Sequence, residues 1–403
     1  MEPHLSALVS RRVSAARGSL STLADLEGLP DGAIAFGGGY PDPSTYPVAA
    51  LERCLAAELR DHAVPSLSYD TSRGDAGLRA EIAVHLGRDG IDIDADRVNV
   101  YAGSSGGINA VADLLLDDGD VVVTEALTYP GAVKAFEQRG ARVVPCPIDE
   151  GGVIVDDLDA QLRALGSRAQ AVKLLYLGGR FHNPTGACLD DARTHAVAEL
   201  ARRHGVLVAQ DDTYADIRYG TDATPSLLGP ARDHAIQLGS FSKSIAPGVR
   251  LGWVAAPPRV AELLAERRTD LGASPLLQRA VARYLRSGDF AAHLETLSRR
   301  YLYKRDVLLE ALAEHCAAHA TWTVPTGGYF VWVTMAGSVA ALSRVAREYG
   351  TAFISDAYFA VGPSLDRSFR LAFGEVPLEQ LAEGARRLGD AMRAGPTPAR
   401  AGD

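Results

Sequence analysis

The stretch GSFSKSIAPGVRLGW, residues 239–253, sets Lys243 between two serines, with no further cation until Arg250. Two β-type runs flank the lysine, AIQLGS at 235–240 and RLGWVAA at 250–256. Parallel neighbours need a crossover of roughly a dozen residues or more, usually a helix. The link here is too short for one, so these strands are expected to run antiparallel, with Lys243 on the loop between them. A lone surface lysine is the plain alternative, and the surrounding chain has to decide.

Upstream of that loop, strand and helix patterns alternate. VNVY (98–101), VVVTE (121–125), ARVVPCPI (141–148), AVKLLYLGG (171–179) and VLVAQDD (206–212) read as strands. INAVADLLL (108–116), AVKAFEQRG (132–140) and RTHAVAELARRHG (193–205) read as helices, with Ala196, Val197, Leu200 and Ala201 on one face of the last and Gly205 stopping it. Such alternation implies βαβ units and a mostly parallel sheet. After Pro258 the pattern changes to long helices, broken near Gly288, then to strands TWTVPTGGYFVWVTM and RSFRLAFG around the helix VAALSRVAREYG. The expected fold class is α/β: a large unit over 45–285 with a mostly parallel seven-stranded sheet containing one antiparallel strand, and a smaller α+β unit built from 1–44 and 286–403.

The chain has 403 residues, 47% of them hydrophobic, and a formal net charge of -9 spread over both signs. That is ample for a sizeable core and lacks the basic stripe of a nucleic-acid binder. No apolar run approaches membrane-span length, and the first twenty residues lack a signal-peptide core. The four cysteines, Cys54, Cys146, Cys188 and Cys316, have no metal-ligand spacing, so no metal is expected. Reduced thiols and a cytoplasmic location are the expectation.

Five further stretches ask for a joint explanation. YAGSSGGINA (101–110) puts glycines and serines at a helix N-terminus, where free N–H groups and the helix dipole attract anions; a tight turn is equally open. Tyr129 in LTYPGA follows a strand end, the usual ligand side of a parallel sheet, or is an ordinary turn aromatic. Asn183 in FHNPTG precedes a proline and is held extended, as in any Asn-Pro turn. Asp211 and Tyr214 lie in QDDTYADIRY at a strand's carboxyl end. A solvated turn accounts well for Asp212 and poorly for Asp211, because a buried carboxylate needs a cation. Arg370 sits mid-strand in SFRLAFG and suits bidentate binding of a carboxylate, unless the strand is an edge facing water. One ligand satisfies the first four. Its phosphate suits the Gly-Ser loop and Arg250, its planar ring Tyr129, its ring nitrogen Asp211, its phenolic oxygen Asn183 and Tyr214, and its aldehyde Lys243. That ligand is pyridoxal 5'-phosphate.

With HNPTG (182–186) and SFSKSIAPGVRLGW (240–253) as the most specific pieces, the chain resembles the class I/II aminotransferases of the fold type I pyridoxal-phosphate enzymes. GGGYPDPSTYP, LTYPGA, DDTY and SPLLQRAVARYL make it most similar to the branch of aminoadipate aminotransferases and the effector domains of MocR-type regulators. The resemblance implies that Lys243 forms the internal aldimine, Asp211 keeps the ring nitrogen protonated, and Asn183 and Tyr214 bond the ring hydroxyl. It implies Tyr129 stacked on the ring and Ser104, Ser105, Gly106, Ser240, Ser242 and Arg250 around the phosphate. Arg370 would take the substrate α-carboxylate, with Gly38, Gly39 and Asn183 beside the substrate. Tyr69, in LSYDTSRGDAGLR, would reach the cofactor of a second subunit, so a homodimer is implied.

Several positions depart from the pattern. Glutamines usually stand where this chain has Ser105 and Gly106. Arg180 and His182 are atypical, and ISDAYF puts Asp356 where Pro-Gly is usual. The implied activity is transfer of an amino group between an α-amino acid and a 2-keto acid by a ping-pong route through Lys243. Another pyridoxal-phosphate reaction (elimination, replacement, cyclisation or oxidation) is the alternative, and a non-catalytic ligand-binding regulator a third. The few residues ahead of AFGGGY are too short for a DNA-binding domain. Asp356 at the site's entrance would favour a donor with a polar or cationic side chain, whereas Arg17 or Arg180 would serve an acidic one.

Overall fold

The computed structural model describes residues 26, 28–167, 172–220 and 224–395. Seven strands form the large sheet in the spatial order Val98–Tyr101, Gly252–Ala255, Ala235–Ser240, Leu207–Asp211, Val172–Leu177, Val121–Glu125, Arg142–Cys146. Gly252–Ala255 runs antiparallel to both neighbours, and every other pairing is parallel. The short link carrying Lys243 thus makes the one antiparallel excursion, as its length requires.

Successive residues of a strand face opposite sides of the sheet, and the two faces bury different helices. Val121, Val123, Leu175 and Leu177 pack with Leu158, Leu162, Val197 and Leu200 on one side. Val122, Leu174, Tyr176 and Ala209 pack with Ile108, Val111, Ala132 and Phe136 on the other. Helix Asp191–His204 shows how locally these elements are specified. The Asp190 carboxylate accepts the Arg193 N–H at its start, and Gly205 ends it in the left-handed region at φ 64°.

The second sheet has five strands in the order Ile34–Phe36, Thr351–Ser355, Ser368–Ala372, Phe330–Met335, Ala320–Trp322. Ile34–Phe36 pairs parallel with Thr351–Ser355, so a segment from the start of the chain completes a sheet made mostly from its end. Ser368–Ala372 is the central strand, so Arg370 is not on an edge facing water. Gly288, at φ 85°, separates helix Pro275–Arg286 from the 27-residue helix Asp289–His315. Among the described residues no helix is long and apolar enough to cross a membrane.

Between Ile34–Phe36 and the large unit the chain runs through Gly37–Gly39 as a strap over the carboxyl ends of the large sheet's strands. Asp42 anchors that strap. Its carboxylate accepts from Lys304 Nζ at 3.2 Å and Arg300 Nη2 at 3.2 Å on the long helix, while its N–H donates to the Tyr301 hydroxyl at 2.8 Å. Lys304 is fully buried and also donates to the Gly374 carbonyl at 2.6 Å. Asp42→Ala would leave that ammonium buried without its counter-charge, and the expected loss of stability is about 3–5 kcal/mol. Burial already lowers the Lys304 pKa, so the loss should shrink as pH rises and the amine gives up its proton. Denaturant unfolding at neutral and alkaline pH measures both.

Candidate active site

The cavity lies where parallel-sheet ligands bind, at the carboxyl ends of the strands. Ser104, Ser105, Tyr129, Asn183, Asp211, Tyr214, Ser240, Ser242, Lys243 and Arg250 all line it. Tyr40, Thr128, Tyr176, Gly178, Phe181, His182, Thr213 and Pro247 complete the wall.

Strand Leu207–Asp211 delivers its last residue to this cavity. Period-two alternation puts Asp211 on the same side as Ala209, facing the neighbouring strand's Tyr176, whose hydroxyl donates to Asp211 Oδ2. Asp211 Oδ1 accepts from the Thr213 N–H at 3.1 Å and the Thr213 hydroxyl at 2.6 Å. The carboxylate is therefore oriented on both oxygens. The next residue points the other way. Asp212 joins Gln210 on the opposite face, is 4% exposed, and accepts from Arg180 Nη2 at 2.7 Å and Gln237 Nε2 at 2.6 Å. The solvated turn expected for Asp212 is thus corrected: its cation partner comes from a segment 32 residues away.

Arg180 is 1% exposed and spans Asp212 and Asp89, the latter through Nη1. Burial alone would lower its pKa, but the two carboxylates outweigh burial and hold the guanidinium charged. It therefore serves as the counterion of a buried structural pair, and the expectation that it meets a substrate's distal carboxylate fails. Arg17, the other residue considered for that task, lies outside the described residues. His182 is 3% exposed. Its Nδ1 is 2.8 Å from Thr185 Oγ1 and its Nε2 3.3 Å from the buried Glu125 carboxylate.

The anion cradle is built from two glycines and an arginine. Gly103, at φ 78°, precedes helix Ser104–Leu115, whose first amides have no side-chain cap. A Cβ at Gly103 would lie 2.9 Å from Arg250 Nη2, and one at Gly252 would lie 2.5 Å from the Gly103 and Ser104 backbone. Both glycines are needed for the antiparallel strand and the guanidinium to press against the helix start. Arg250 is held with φ 49° and donates through Nη2 to the Ala102 carbonyl at 3.3 Å. Ser240 and Ser242 share a turn in which the Ser242 N–H donates to Ser240 Oγ at 3.1 Å. Gly106 sits one residue deeper in the helix, and a Cβ there would meet Tyr101 Cβ at 3.3 Å.

Lys243 Nζ donates to the Gly39 carbonyl at 2.7 Å and lies 5.4 Å from the Tyr214 ring centroid. Burial, with Arg370 and Arg250 nearby, lowers its pKa to about 8. Arg370 Nη1 donates to Asn183 Oδ1 at 2.6 Å and Nη2 to the Gly37 carbonyl, while its Nε is buried without a partner. The guanidinium is flanked by the Phe330 and Phe359 rings, with centroids at 4.5 and 4.8 Å. Burial lowers its pKa to about 10. Burial raises the Tyr214 hydroxyl well above its usual value, keeping it a neutral donor. Gly39 stands between these groups: its carbonyl takes the lysine, and a Cβ would meet the Tyr214 hydroxyl at 3.0 Å. Gly38 is closed in by Tyr40 and Glu375.

Gly39, Gly106 and Arg370 stand next to the cavity wall rather than in it, and two other expected residues fall elsewhere. Tyr69 is 83% exposed and outside this chain's own cavity. Asp356 is 3% exposed, and its carboxylate accepts from the Ser364 hydroxyl at 2.7 Å and the Arg367 N–H at 3.3 Å. It faces neither solvent nor substrate, so the preference for a cationic or polar donor that rested on it is withdrawn. Tyr176, Thr213 and Tyr40 were missed from sequence. Tyr176 had a signal: it is the penultimate residue of a strand that ends beside Asp211.

The donor set fits pyridoxal phosphate. A helix N-terminus, an arginine and serines suit the phosphate, a doubly oriented carboxylate the ring nitrogen, Tyr129 the ring face, and a buried amine of lowered pKa the aldehyde.

The model of the family described as aminotransferase class I and II matches residues 39–388. An aromatic-amino-acid aminotransferase of Thermococcus litoralis is 31% identical over 89% of this chain and 88% of its own length. A 2-aminoadipate transaminase of Thermus thermophilus is 32% identical over 90% of each. The crystal structure of a Pyrococcus horikoshii kynurenine aminotransferase superposes with a TM-score of 0.91 at 29% identity, covering 97% of this chain and 98% of that one. The chain belongs to the aminotransferase class I and II family, and its chemistry is pyridoxal-phosphate-dependent transfer of an amino group between an α-amino acid and a 2-keto acid.

Proposed function

We propose the following division of labour for that reaction. Lys243 would hold the cofactor's aldehyde end through Nζ, and its free amine would take the proton from the substrate's Cα. Pyridoxal phosphate supplies the electron sink for the pair that proton leaves behind. Asp211 holds the proton on the ring nitrogen, and the Tyr176 and Thr213 bonds keep its carboxylate aimed there. Asn183 and Tyr214 serve the ring hydroxyl. Ser104, Ser105, Gly106, Ser240, Ser242 and Arg250 receive the phosphate. Arg370 takes the α-carboxylate, beside Gly39 and Asn183.

One observation carries this reading. Arg370 is a buried cation whose bonds among the described residues go to a carbonyl and an amide oxygen rather than to a carboxylate. A buried cation of that kind is costly until an anion arrives, and an amino acid brings one beside the lysine. The odd loops GSSGG and GGRFH had kept a different pyridoxal-phosphate reaction open, and Arg180 lies in the second. Its place in a buried ion pair accounts for the oddity of that loop without a different reaction.

The catalytic unit is a homodimer of cytoplasmic chains, each with a large unit over 45–285 and a smaller one from 1–44 and 286–403. Val64, Leu67 and Tyr69 support the dimer: they are 78%, 70% and 83% exposed on one short helix and its exit, an apolar group suited to a second copy. Four free cysteines agree with a reducing compartment.

Replacing Lys243 by Ala should abolish the lysine-bound absorbance band and lower turnover by about 10²–10⁴-fold or more, with the fold intact. In the apoprotein the free amine is the reactive form. A pKa lowered to about 8 means that amine is largely protonated below that pH and free above it. The rate of reconstitution with pyridoxal phosphate should therefore rise with pH and level off above about 8, rather than near the ~10.4 of an ordinary lysine. Stopped-flow absorbance across pH measures it.

Asp211→Asn and Asp212→Asn separate chemistry from structure. The first should cost on the order of 100-fold in rate with little change in stability. The second should cost about 3 kcal/mol of stability by leaving Arg180 underpaired, while the folded protein retains most of its rate. Kinetics and denaturant unfolding on both variants read the pair; equal rate losses would mean that the wrong aspartate has been assigned to the ring.

A further inference from the structure

The turn over 182–187 carries Asn183, and it is fixed from within and from behind. Its backbone closes on itself: the His182 N–H donates to the Ala187 carbonyl at 2.8 Å, and the Gly186 N–H to the His182 carbonyl at 2.7 Å. The His182 ring lines the cavity and is 3% exposed. Its Nδ1 is 2.8 Å from Thr185 Oγ1, and its Nε2 faces Glu125 Oε2 at 3.3 Å. Glu125 is fully buried at the end of strand Val121–Glu125, where Oε2 also takes the Gly178 N–H at 2.9 Å. A Cβ at Gly178 would meet His182 Cδ2 at 2.4 Å, so that glycine is what lets the imidazole reach the carboxylate.

The partners select one form of the ring. Thr185 Oγ1 accepts the Ala187 N–H at 3.3 Å and keeps its own hydrogen to give. A carboxylate only accepts. Every group is served when the ring proton sits on Nε2, toward Glu125, and Nδ1 accepts from the Thr185 hydroxyl.

Two routes run from this turn to Arg370. In the first, Asn183 Oδ1 accepts Arg370 Nη1 at 2.6 Å. In the second, the Thr185 carbonyl accepts the Thr323 hydroxyl at 3.2 Å, and Thr323 Oγ1 accepts the Trp332 N–H at 3.0 Å. Trp332 stands opposite Arg370 in the smaller sheet's antiparallel pairing. The guanidinium and its strand are therefore both referred to a turn that Glu125 pins to the large sheet. Lys243 belongs to a loop of that same large sheet. A substrate gripped by Arg370 must bring its Cα to Lys243, and a misplacement of about 1 Å can cost on the order of a hundredfold.

We propose that Glu125 and His182 are positioning residues for the substrate's α-carboxylate: the buried carboxylate holds the imidazole in its Nε2–H form, and the imidazole sets the turn that keeps Arg370 in register with Lys243. This rests on the reading of Arg370 as the carboxylate's partner, and the test is binding without turnover. The holoenzyme is titrated with 4-methylpentanoate, a carboxylate with no amine to react, and read by the change in cofactor absorbance. His182→Phe keeps the ring's bulk and removes both nitrogens, and should weaken the acid about tenfold. His182→Gln returns an N–H toward Glu125 and should recover to within about threefold of the unsubstituted protein. Thr323→Val acts from the other unit, outside the cavity wall, and should weaken the acid by about three- to tenfold. The double variant His182→Phe with Thr323→Val should lose less than the product of the two single losses, because both act through one turn. In turnover these variants should raise KM for the amino acid more than they lower kcat.

A role in folding alone would lower stability to denaturant and leave the dissociation constant where it is. Undiminished affinity in either single variant overturns the proposal, as does a double variant whose losses multiply, or a His182→Gln protein that binds no better than His182→Phe. If His182→Phe does not fold, His182→Asn takes its place: it reaches Thr185 but not Glu125, and should bind at least about threefold more weakly than His182→Gln. Arg370→Lys keeps the two readings apart. If it binds the acid as tightly as the unsubstituted protein, the carboxylate assignment fails; if it weakens the acid while the His182 and Thr323 variants do not, only the positioning role fails.

Discussion

Arg370, buried, and Lys243, half-buried, are cations that approach one another across the same site, and Arg370 is part of the reason the Lys243 pKa falls to about 8. Neither has a carboxylate within bonding distance among the described residues. Both donate to carbonyls of the Gly37–Gly39 strap. Carbonyl dipoles satisfy the hydrogen bonds without neutralising the charge, so the site keeps its appetite for anions. Everything around it preserves that condition. The strap must carry no side chains, and the carboxylates nearby must be occupied elsewhere.

The occupation is visible residue by residue. Asp212 and Asp89 are consumed by Arg180, Asp216 by His85 at 2.7 Å, Asp42 by Lys304 and Arg300. These pairs sit behind or beside the cavity and tie the strand ends, the strap and the long helix together. Asp211, the one aspartate in the cavity wall among the described residues, is held by hydroxyls and an amide instead of a cation. Its charge remains available to a ring nitrogen.

The glycines at 103 and 252 do for the phosphate end what the strap does for the amine end. They remove side chains so that a helix start, a strand and a guanidinium can approach one another. Backbone bonds from the Thr128 N–H to the Phe359 carbonyl and from the Val361 N–H to the Ala126 carbonyl close the remaining side. The cavity wall comes from the strand ends of the large sheet, the loops beyond them and Tyr40, and Arg370 of the smaller sheet reaches that wall through Asn183.

Much of this was legible in the sequence because it is local. A short link between two apolar strands forces an antiparallel pair and puts Lys243 at its turn. Period-two alternation separates Asp211 from Asp212. Glycines and serines between a strand and a helix make an anion cradle, and an arginine centred in an apolar strand asks for a partner. Those patterns, with their order along the chain, determined the fold class, the cofactor and most of the cavity wall. What they did not determine is where a charge finds its partner. Arg180 meets Asp89 across 91 residues, Tyr176 meets Asp211 across 35, and Asp356 turns back to Ser364 instead of toward the substrate. Burial and pairing are properties of segments brought together from distant parts of the chain, so a charged residue read from sequence as facing water or ligand was free to be neither. Only the tertiary structure decided which charges serve the substrate and which hold the scaffold, because an ion buried on folding must be neutralised by whichever neighbour the packing supplies.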